Sequence, residues 1–212
     1  MSARVGAFLD RDGVLNELVP DPVSGLPESP LHARDVRLVA GAAAAAARLA
    51  RAGFVLVCVT NQPAAAKAKV SLEQLFEVHA RVEQLLALEG VQLECSRLCP
   101  HHPQGLVEGL SGVCDCRKPA PGMLLAAAGA LQLELRASWM FGDTDADVAA
   151  GRAAGCRTVL IDYPGSAPKR AGASRLARSA ARDHQNLAPR SVDAPVADLA
   201  AGVARVLQQC SQ

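Results

Sequence analysis

Asp10 and Asp12 stand two residues apart in Phe8-Leu9-Asp10-Arg11-Asp12-Gly13, directly after an apolar run and directly before a glycine. The pair suits phosphoryl transfer. One carboxylate can attack phosphorus while its neighbour handles the leaving-group proton, and a divalent cation is needed to keep two anions beside an anionic substrate. Val5 to Leu9 reads as a buried strand, so both carboxylates should emerge at its carboxyl end, where open α/β sheets bind ligands. Gly13 lets the backbone turn sharply there. Taken alone, Asp-X-Asp-Gly is also an ordinary turn signal.

Three further segments bear on that choice. Val55-Leu56-Val57-Cys58-Val59-Thr60-Asn61 is a second apolar run, ending in a hydroxyl that could hold phosphate oxygens or merely cap a helix. In Arg117-Lys118-Pro119 the lysine precedes Pro-Ala-Pro-Gly, which should open a helix near Gly122; a cation there could neutralise a transferring phosphoryl group, or be an ordinary surface lysine. Trp139-Met140-Phe141-Gly142-Asp143-Thr144-Asp145-Ala146-Asp147 ends a further strand in Gly-Asp with carboxylates just beyond. Asp143 can ligate a cation with Asp147 supporting it one helical turn later, although helix N-termini also attract Asp for dipole reasons.

In this order the four segments resemble the haloacid dehalogenase superfamily of aspartate-nucleophile phosphatases, from about Val5 to Ile161. The resemblance implies a role at each matching position. Asp10 becomes the nucleophile that forms an aspartyl-phosphate, and Asp12 the acid that protonates the leaving alcohol and later activates water. Thr60 binds the phosphoryl group with Asn61 and Arg11 as further substrate contacts, and Lys118 stabilises the charge. Mg²⁺ is held by Asp10, Asp143 and the main-chain carbonyl of Asp12, with Asp147 as an outer carboxylate; Mg²⁺ favours such hard oxygen donors.

A separate constellation is Cys99-Pro100-His101-His102 followed by Cys114-Asp115-Cys116. Ligands paired at i and i+2 can each close on one metal from a tight loop, and the 12 residues between His101 and Cys114 leave slack to bring the pairs together. A structural Zn²⁺ on Cys99, His101, Cys114 and Cys116 is the expected occupant, with His102 the alternative imidazole. Disulfides fit poorly, since no export signal is seen and seven cysteines leave one over. Four protein ligands close the sphere, so this metal should shape a loop and do no chemistry.

The string Cys-Pro-His-His-Pro-Gln-Gly, Cys-Asp-Cys-Arg-Lys-Pro and Pro-Gly-Met is similar to the D-glycero-D-manno-heptose 1,7-bisphosphate 7-phosphatase family, whose relatives include histidinol-phosphate phosphatases. It implies removal of one phosphate from a sugar bisphosphate, a zinc loop in place of a large cap domain, and Arg117 as a substrate contact whose guanidinium can grip phosphate bidentately. The sequence departs from that pattern where the substrate is read. A longer Pro- and Gly-containing stretch follows Asn16 up to Asp35, in place of a short His-Gly-Tyr segment. Pro63-Ala64-Ala65-Ala66-Lys67 replaces Ser-Gly-Ile-Ala-Arg, and Thr144 stands where many relatives have Lys. Histidinol phosphate or another small sugar phosphate is the alternative substrate. A phosphotransferase or mutase, and a zinc-stabilised binding protein without catalysis, are the other readings.

Residues with these roles need a scaffold of alternating strands and helices. Apolar runs near 5–9, 54–59, 92–98, 138–141 and 157–161 alternate with helical patterns at 42–51, 71–88, 123–133, 145–154 and 196–208. The alternation predicts an α/β fold, a doubly wound Rossmann-like parallel sheet of the haloacid dehalogenase type. One domain should span 1–212, with the zinc loop at 99–116 and a basic, Ala-, Ser- and Pro-rich surface excursion at 163–190. A net charge of +1 and only 6 aromatic residues give no case for nucleic acid. The apolar start is too short for a signal-peptide core and no apolar stretch is long enough for a bilayer, so a cytoplasmic monomer with no membrane partner is expected.

Overall fold

The computed structural model describes residues 3–167 and 194–210. In chain order the elements are β1 (Gly6–Leu9), β2 (Val19–Pro20), β3 (Pro27–Glu28), α1 (Ala42–Arg51), β4 (Val55–Asn61), α2 (Leu72–Leu88), β5 (Cys95–Cys99), α3 (Gly122–Leu131), β6 (Trp139–Gly142), α4 (Asp145–Ala153), β7 (Arg157–Leu160) and α5 (Leu199–Cys210). Five strands form one sheet in the order β5-β4-β1-β6-β7, and every pairing in it is parallel. Strands β2 and β3 make a separate antiparallel hairpin between β1 and α1.

The central strands are apolar on both faces because helices cover both. Ala7, Leu9, Leu56, Cys58, Trp139 and Phe141 point into one core with α1, α2 and α5. Their neighbours Phe8, Val57, Val59 and Met140 point into the other, against α3 and α4. The alanine run of α1 buries Ala42, Ala43, Ala45 and Ala46, and these small side chains let the helix lie close against the sheet. Helix α2 opens with a reciprocal cap: Gln74 N donates to Ser71 Oγ at 3.1 Å and Ser71 N to Gln74 Oε1 at 3.2 Å. Such caps contribute about 1 kcal/mol.

Strand β1 has β4 on one side and β6 on the other, so successive connections leave it in opposite directions. That reversal opens a crevice beyond the carboxyl ends of the strands, the place where such sheets hold ligands. The element boundaries read from sequence hold to within a few residues, with one shift: β5 begins at Cys95, because it pairs with β4 only from Val57 onward. The expected excursion at 163–190 needs correcting at its start. Pro164–Ser166 form a 3₁₀ turn that buries Ser166 completely, and residues 168–190 lie outside the described residues. Among the described residues no helix is long and apolar enough to cross a membrane.

Candidate active site and metal centre

Asp10 follows β1 directly, and its N–H donates to the carbonyl of Phe141 in β6 at 2.9 Å, so the two strands are tied where their carboxylates emerge. The chain then turns tightly: the Arg11 carbonyl accepts from Leu15 N at 2.8 Å and Asn16 N at 2.9 Å. Gly13 sits at φ +80°, and a Cβ there would collide with the Asp143 carboxylate. Glycine is required both by the backbone angle and by the approach of β1 to β6. Gly142 is constrained by space alone, since a Cβ would run into Asp147.

Asp10, Asp143 and Asp147 bring their carboxylates together, with ligand oxygens within 4.8 Å of one another. Lys118 closes on two of them. Its Nζ lies 2.8 Å from Asp10 Oδ1, 2.6 Å from Asp147 Oδ1 and 2.8 Å from the Val59 carbonyl. Burial alone would lower the ammonium, but Asp10 and Asp147 more than offset it and hold Lys118 above the ordinary lysine value, hence charged. Burial and the charges of Asp147 and Asp143 push Asp10 well above the usual carboxylate range, against the pull of Lys118. Asp143 is pushed up to about 7, by burial first and then by Asp147. One ammonium cannot balance three buried carboxylates, and the buried Oδ1 of Asp143 has no hydrogen-bond partner. These hard oxygen donors fit a small divalent cation.

Asp147 serves two structures at once. Its Oδ2 accepts from Thr144 N at 3.0 Å and Thr144 Oγ1 at 2.5 Å, capping α4, while Oδ1 faces Lys118. The cap and the site were rival readings of this residue, and the geometry satisfies both.

Asp12 is held by four partners. Arg11 Nη2 lies 3.1 Å from its Oδ1, Asn16 Nδ2 donates at 3.0 Å, Ser29 Oγ at 2.8 Å and Gln62 Nε2 at 2.5 Å. Burial raises its pKa, yet Arg11 and these donors outweigh it and leave the carboxyl below its ordinary value. Ser29 and Gln62 were not singled out from sequence, because a Ser in a proline-rich loop and a Gln after a strand carry no distinctive spacing. Ser166 was missed likewise; its hydroxyl donates to Asp143 Oδ2.

Two expected substrate contacts are placed otherwise. Arg11 is completely buried with its guanidinium on Asp12, which it orients, while its Nη1 has no hydrogen-bond partner. Asn61 grips the main chain of Lys118 from both ends of its amide: Nδ2 donates to the Lys118 carbonyl and Oδ1 accepts from Lys118 N, each at 3.0 Å. Thr60 lies in the crevice at the end of β4, its Oγ1 2.8 Å from Gln62 Nε2. Arg117 is half-buried and donates through Nη1 to the His101 carbonyl at 3.1 Å.

The second cluster closes as the spacing predicts. Cys99 Sγ lies 3.1 Å from Cys116 Sγ, 3.6 Å from Cys114 Sγ and 3.7 Å from His101 Nδ1, and Cys116 Sγ lies 3.3 Å from both Cys114 Sγ and His101 Nδ1. Metal–sulfur bonds of about 2.3 Å in a tetrahedron set edges of about 3.7 Å, so the donors are near the spacing one Zn²⁺ requires. None of the thiols is in a disulfide. Burial pushes Cys99 and Cys116 upward, so a shared cation is needed for three adjacent thiolates. His102 turns away and accepts from Gln104 N at 3.1 Å, which leaves His101 as the imidazole.

A parallel sheet that delivers clustered aspartates and a lysine to the carboxyl ends of β1, β4 and β6 defines a hydrolase of the haloacid dehalogenase type, and a HAD-hydrolase-like family model matches residues 115–186. The chain is 39% identical over 155 residues to D-glycero-beta-D-manno-heptose-1,7-bisphosphate 7-phosphatase of Escherichia coli (strain K12), covering 73% of this chain and 76% of that protein. The same enzyme of Vibrio cholerae is 35% identical over 160 residues, 75% of this chain and 81% of its own. The crystal structure of D,D-heptose 1,7-bisphosphate phosphatase from B. bronchiseptica, complexed with magnesium and phosphate, superposes with a TM-score of 0.70 at 28% identity, over 97% of this chain and 99% of that one. The chain therefore belongs to the heptose-1,7-bisphosphate 7-phosphatase family, and it is a phosphatase.

Proposed function

We propose that this single-domain enzyme removes the 7-phosphate of D-glycero-D-manno-heptose 1,7-bisphosphate, with Asp10 as nucleophile and Mg²⁺ as cofactor. The observation that carries the reading is Lys118 Nζ on Asp10 Oδ1 at 2.8 Å, in a cluster that includes the Asp143 carboxylate with its orphaned oxygen. Identity to the 7-phosphatases of E. coli and V. cholerae supports the substrate, and the magnesium complex from B. bronchiseptica supports the metal.

Asp10 attacks phosphorus through the oxygen not engaged by Lys118, and Lys118 offsets the charge that builds on the phosphoryl oxygens. Thr60 offers its hydroxyl to those oxygens from β4. Held as an anion by Arg11, Asn16, Ser29 and Gln62, Asp12 is ready to take a proton from water in the hydrolysis of the aspartyl-phosphate. To act as acid in the first step it must gain a proton, and an arriving phosphate dianion favours that. Mg²⁺ held by Asp10, Asp143 and the carbonyl of Asp12 would supply the positive charge that keeps Asp10 ionised beside an anionic substrate. Zn²⁺ on Cys99, His101, Cys114 and Cys116 would fix the loop that delivers Arg117 and Lys118, with Arg117 reaching substrate beside it.

Phosphate release from the heptose bisphosphate, measured with and without Mg²⁺, tests the reading. Turnover that needs Mg²⁺ and leaves heptose 1-phosphate is expected. Release of the other phosphate, or phosphate transfer to a second sugar in place of water, would overturn it.

A further inference from the structure

The chain that leaves β7 is fastened before it reaches Asp143. Ile161 N donates to the Gly142 carbonyl at 2.8 Å and Asp162 N to the Val196 carbonyl at 2.7 Å, which fixes its path beside β6. The 3₁₀ turn Pro164–Ser166 follows, and Ser166 N donates to the Tyr163 carbonyl at 3.0 Å. The Tyr163 hydroxyl in turn accepts from Leu18 N at 3.4 Å, so the turn is also tied to the segment that enters the hairpin. Ser166 ends this path completely buried.

The two oxygens of Asp143 have different surroundings. Oδ2 accepts from the Ser166 hydroxyl, and it also faces Gly13, where a Cβ would collide with it. Oδ1 is buried and has no hydrogen-bond partner among the described residues. The neighbouring carboxylates are engaged too. Asp10 Oδ1 takes Lys118 Nζ and, at 2.7 Å, Arg11 N, while Asp147 Oδ2 takes Thr144. A cation entering the cluster therefore meets Asp143 through Oδ1, because Oδ2 is closed in by a hydroxyl on one side and by backbone on the other. That count matters to the choice of ion. Mg²⁺ demands a near-octahedral shell at about 2.0–2.1 Å, into which the narrow bite of a two-oxygen carboxylate fits badly, whereas Ca²⁺ takes about 6–8 oxygens at longer range and accepts bidentate carboxylates.

Resting on the Mg²⁺-dependent phosphatase reading above, we infer that Ser166 is a positioning residue: by occupying Asp143 Oδ2 it presents Oδ1 alone to the cation and makes the site prefer Mg²⁺ to Ca²⁺. Ser166 acts through Asp143 and needs no contact with substrate. A hydroxyl suits the task because it donates one hydrogen bond without adding charge, so it orients the carboxylate and leaves its negative charge for the metal. A cationic side chain in its place would compete with the metal for that charge.

The test is calorimetric titration of Mg²⁺ and, separately, of Ca²⁺ into the parent protein and three variants, with no substrate present. Ser166→Ala should weaken Mg²⁺ binding about tenfold, the usual weight of a hydrogen bond behind a metal ligand. Ca²⁺ should lose less, about threefold at most, because the freed Oδ2 gives it a second donor, so the preference for Mg²⁺ falls. Ser166→Cys fills the same space with a weak donor and should follow the alanine variant, which separates the hydrogen bond from mere packing. Ser166→Thr keeps the hydroxyl and should restore the preference. Mg²⁺ binding within about twofold of the parent in both the alanine and cysteine variants would overturn the inference, as would equal losses of Mg²⁺ and Ca²⁺. A parent protein that shows this dependence on Ser166 yet releases no phosphate from the heptose bisphosphate would instead count against the phosphatase reading and leave the role of Ser166 standing.

Discussion

Lys118 reaches Asp10 only because other residues hold its backbone and its Nζ in place. Asn61 bonds the Lys118 main chain through both ends of its amide, one bond at each. Asn61→Ala should therefore lower kcat by about 10- to 100-fold through misplacement of the ammonium, with KM changed less; steady-state kinetics on the heptose bisphosphate would show it, and an unchanged kcat would refute it. Asp10→Asn should abolish turnover with melting temperature preserved, because an amide cannot attack phosphorus. Asp12→Asn should cost about 10² to 10⁴ in rate through lost proton transfer. Either variant with near-normal kcat would remove these assignments. The spacing of Asp10, Asp12 and Asp143 was readable because strand ends put them in one crevice. That Arg11 bonds the Asp12 carboxylate and Asn61 the Lys118 main chain was not, because a sequence shows which residue types are present and not which way their donors face. Ser29 and Ser166 come to Asp12 and Asp143 from loops whose paths no local pattern dictates.

At the scale of elements, the loop from Cys99 to Cys116 joins the end of β5 to the start of α3. Gly122 N in the first turn of α3 donates to the Asp115 carbonyl at 2.9 Å, and a Cβ on Gly122 would strike that carbonyl. Loss of the metal should thus loosen both the Lys118 strap and the helix start. Purified protein should contain about one Zn²⁺ per chain, and Cys114→Ser should lower the melting temperature and raise KM without rescue by added Mg²⁺. Elemental analysis without zinc, or both quantities unchanged, would exclude the structural-metal reading. The hairpin has its own fastening in Asp21, which accepts from Lys69 Nζ and from Ser24 N at 2.9 Å. These hydrogen bonds, Lys69 first, hold the Asp21 carboxyl below its ordinary value. Stability from a depressed carboxyl is present above its unfolded pKa of about 4 and lost as pH falls toward the folded value. Asp21→Asn should therefore melt earlier than the parent at pH 7, and the gap should narrow as pH is lowered from about 4. A gap that does not depend on pH would assign the effect to something other than this ion pair.

Across the whole molecule, the doubly wound sheet was legible because the apolar runs and helical patterns alternate, and the central strands β1, β4 and β6, buried on both faces, are apolar almost throughout. The hairpin was not, since two-residue strands carry no periodicity and are set by the Asp21 contacts. Asp10, Thr60, Lys118 and Asp143 are positioned by the sheet and the metal loop, whereas the cavity beside Ser29 and Gln62 is walled by parts of residues 19–37 and 62–69. The hairpin is also closed on itself by β2–β3 pairing and clasped by Lys69. Substrate choice in this lineage can consequently drift by replacing a short cassette, residues 17–37 with their partner turn at 63–69, while the hydrolytic apparatus is inherited intact; a graft of those two segments onto a relative should carry the preference for a sugar and leave the chemistry behind.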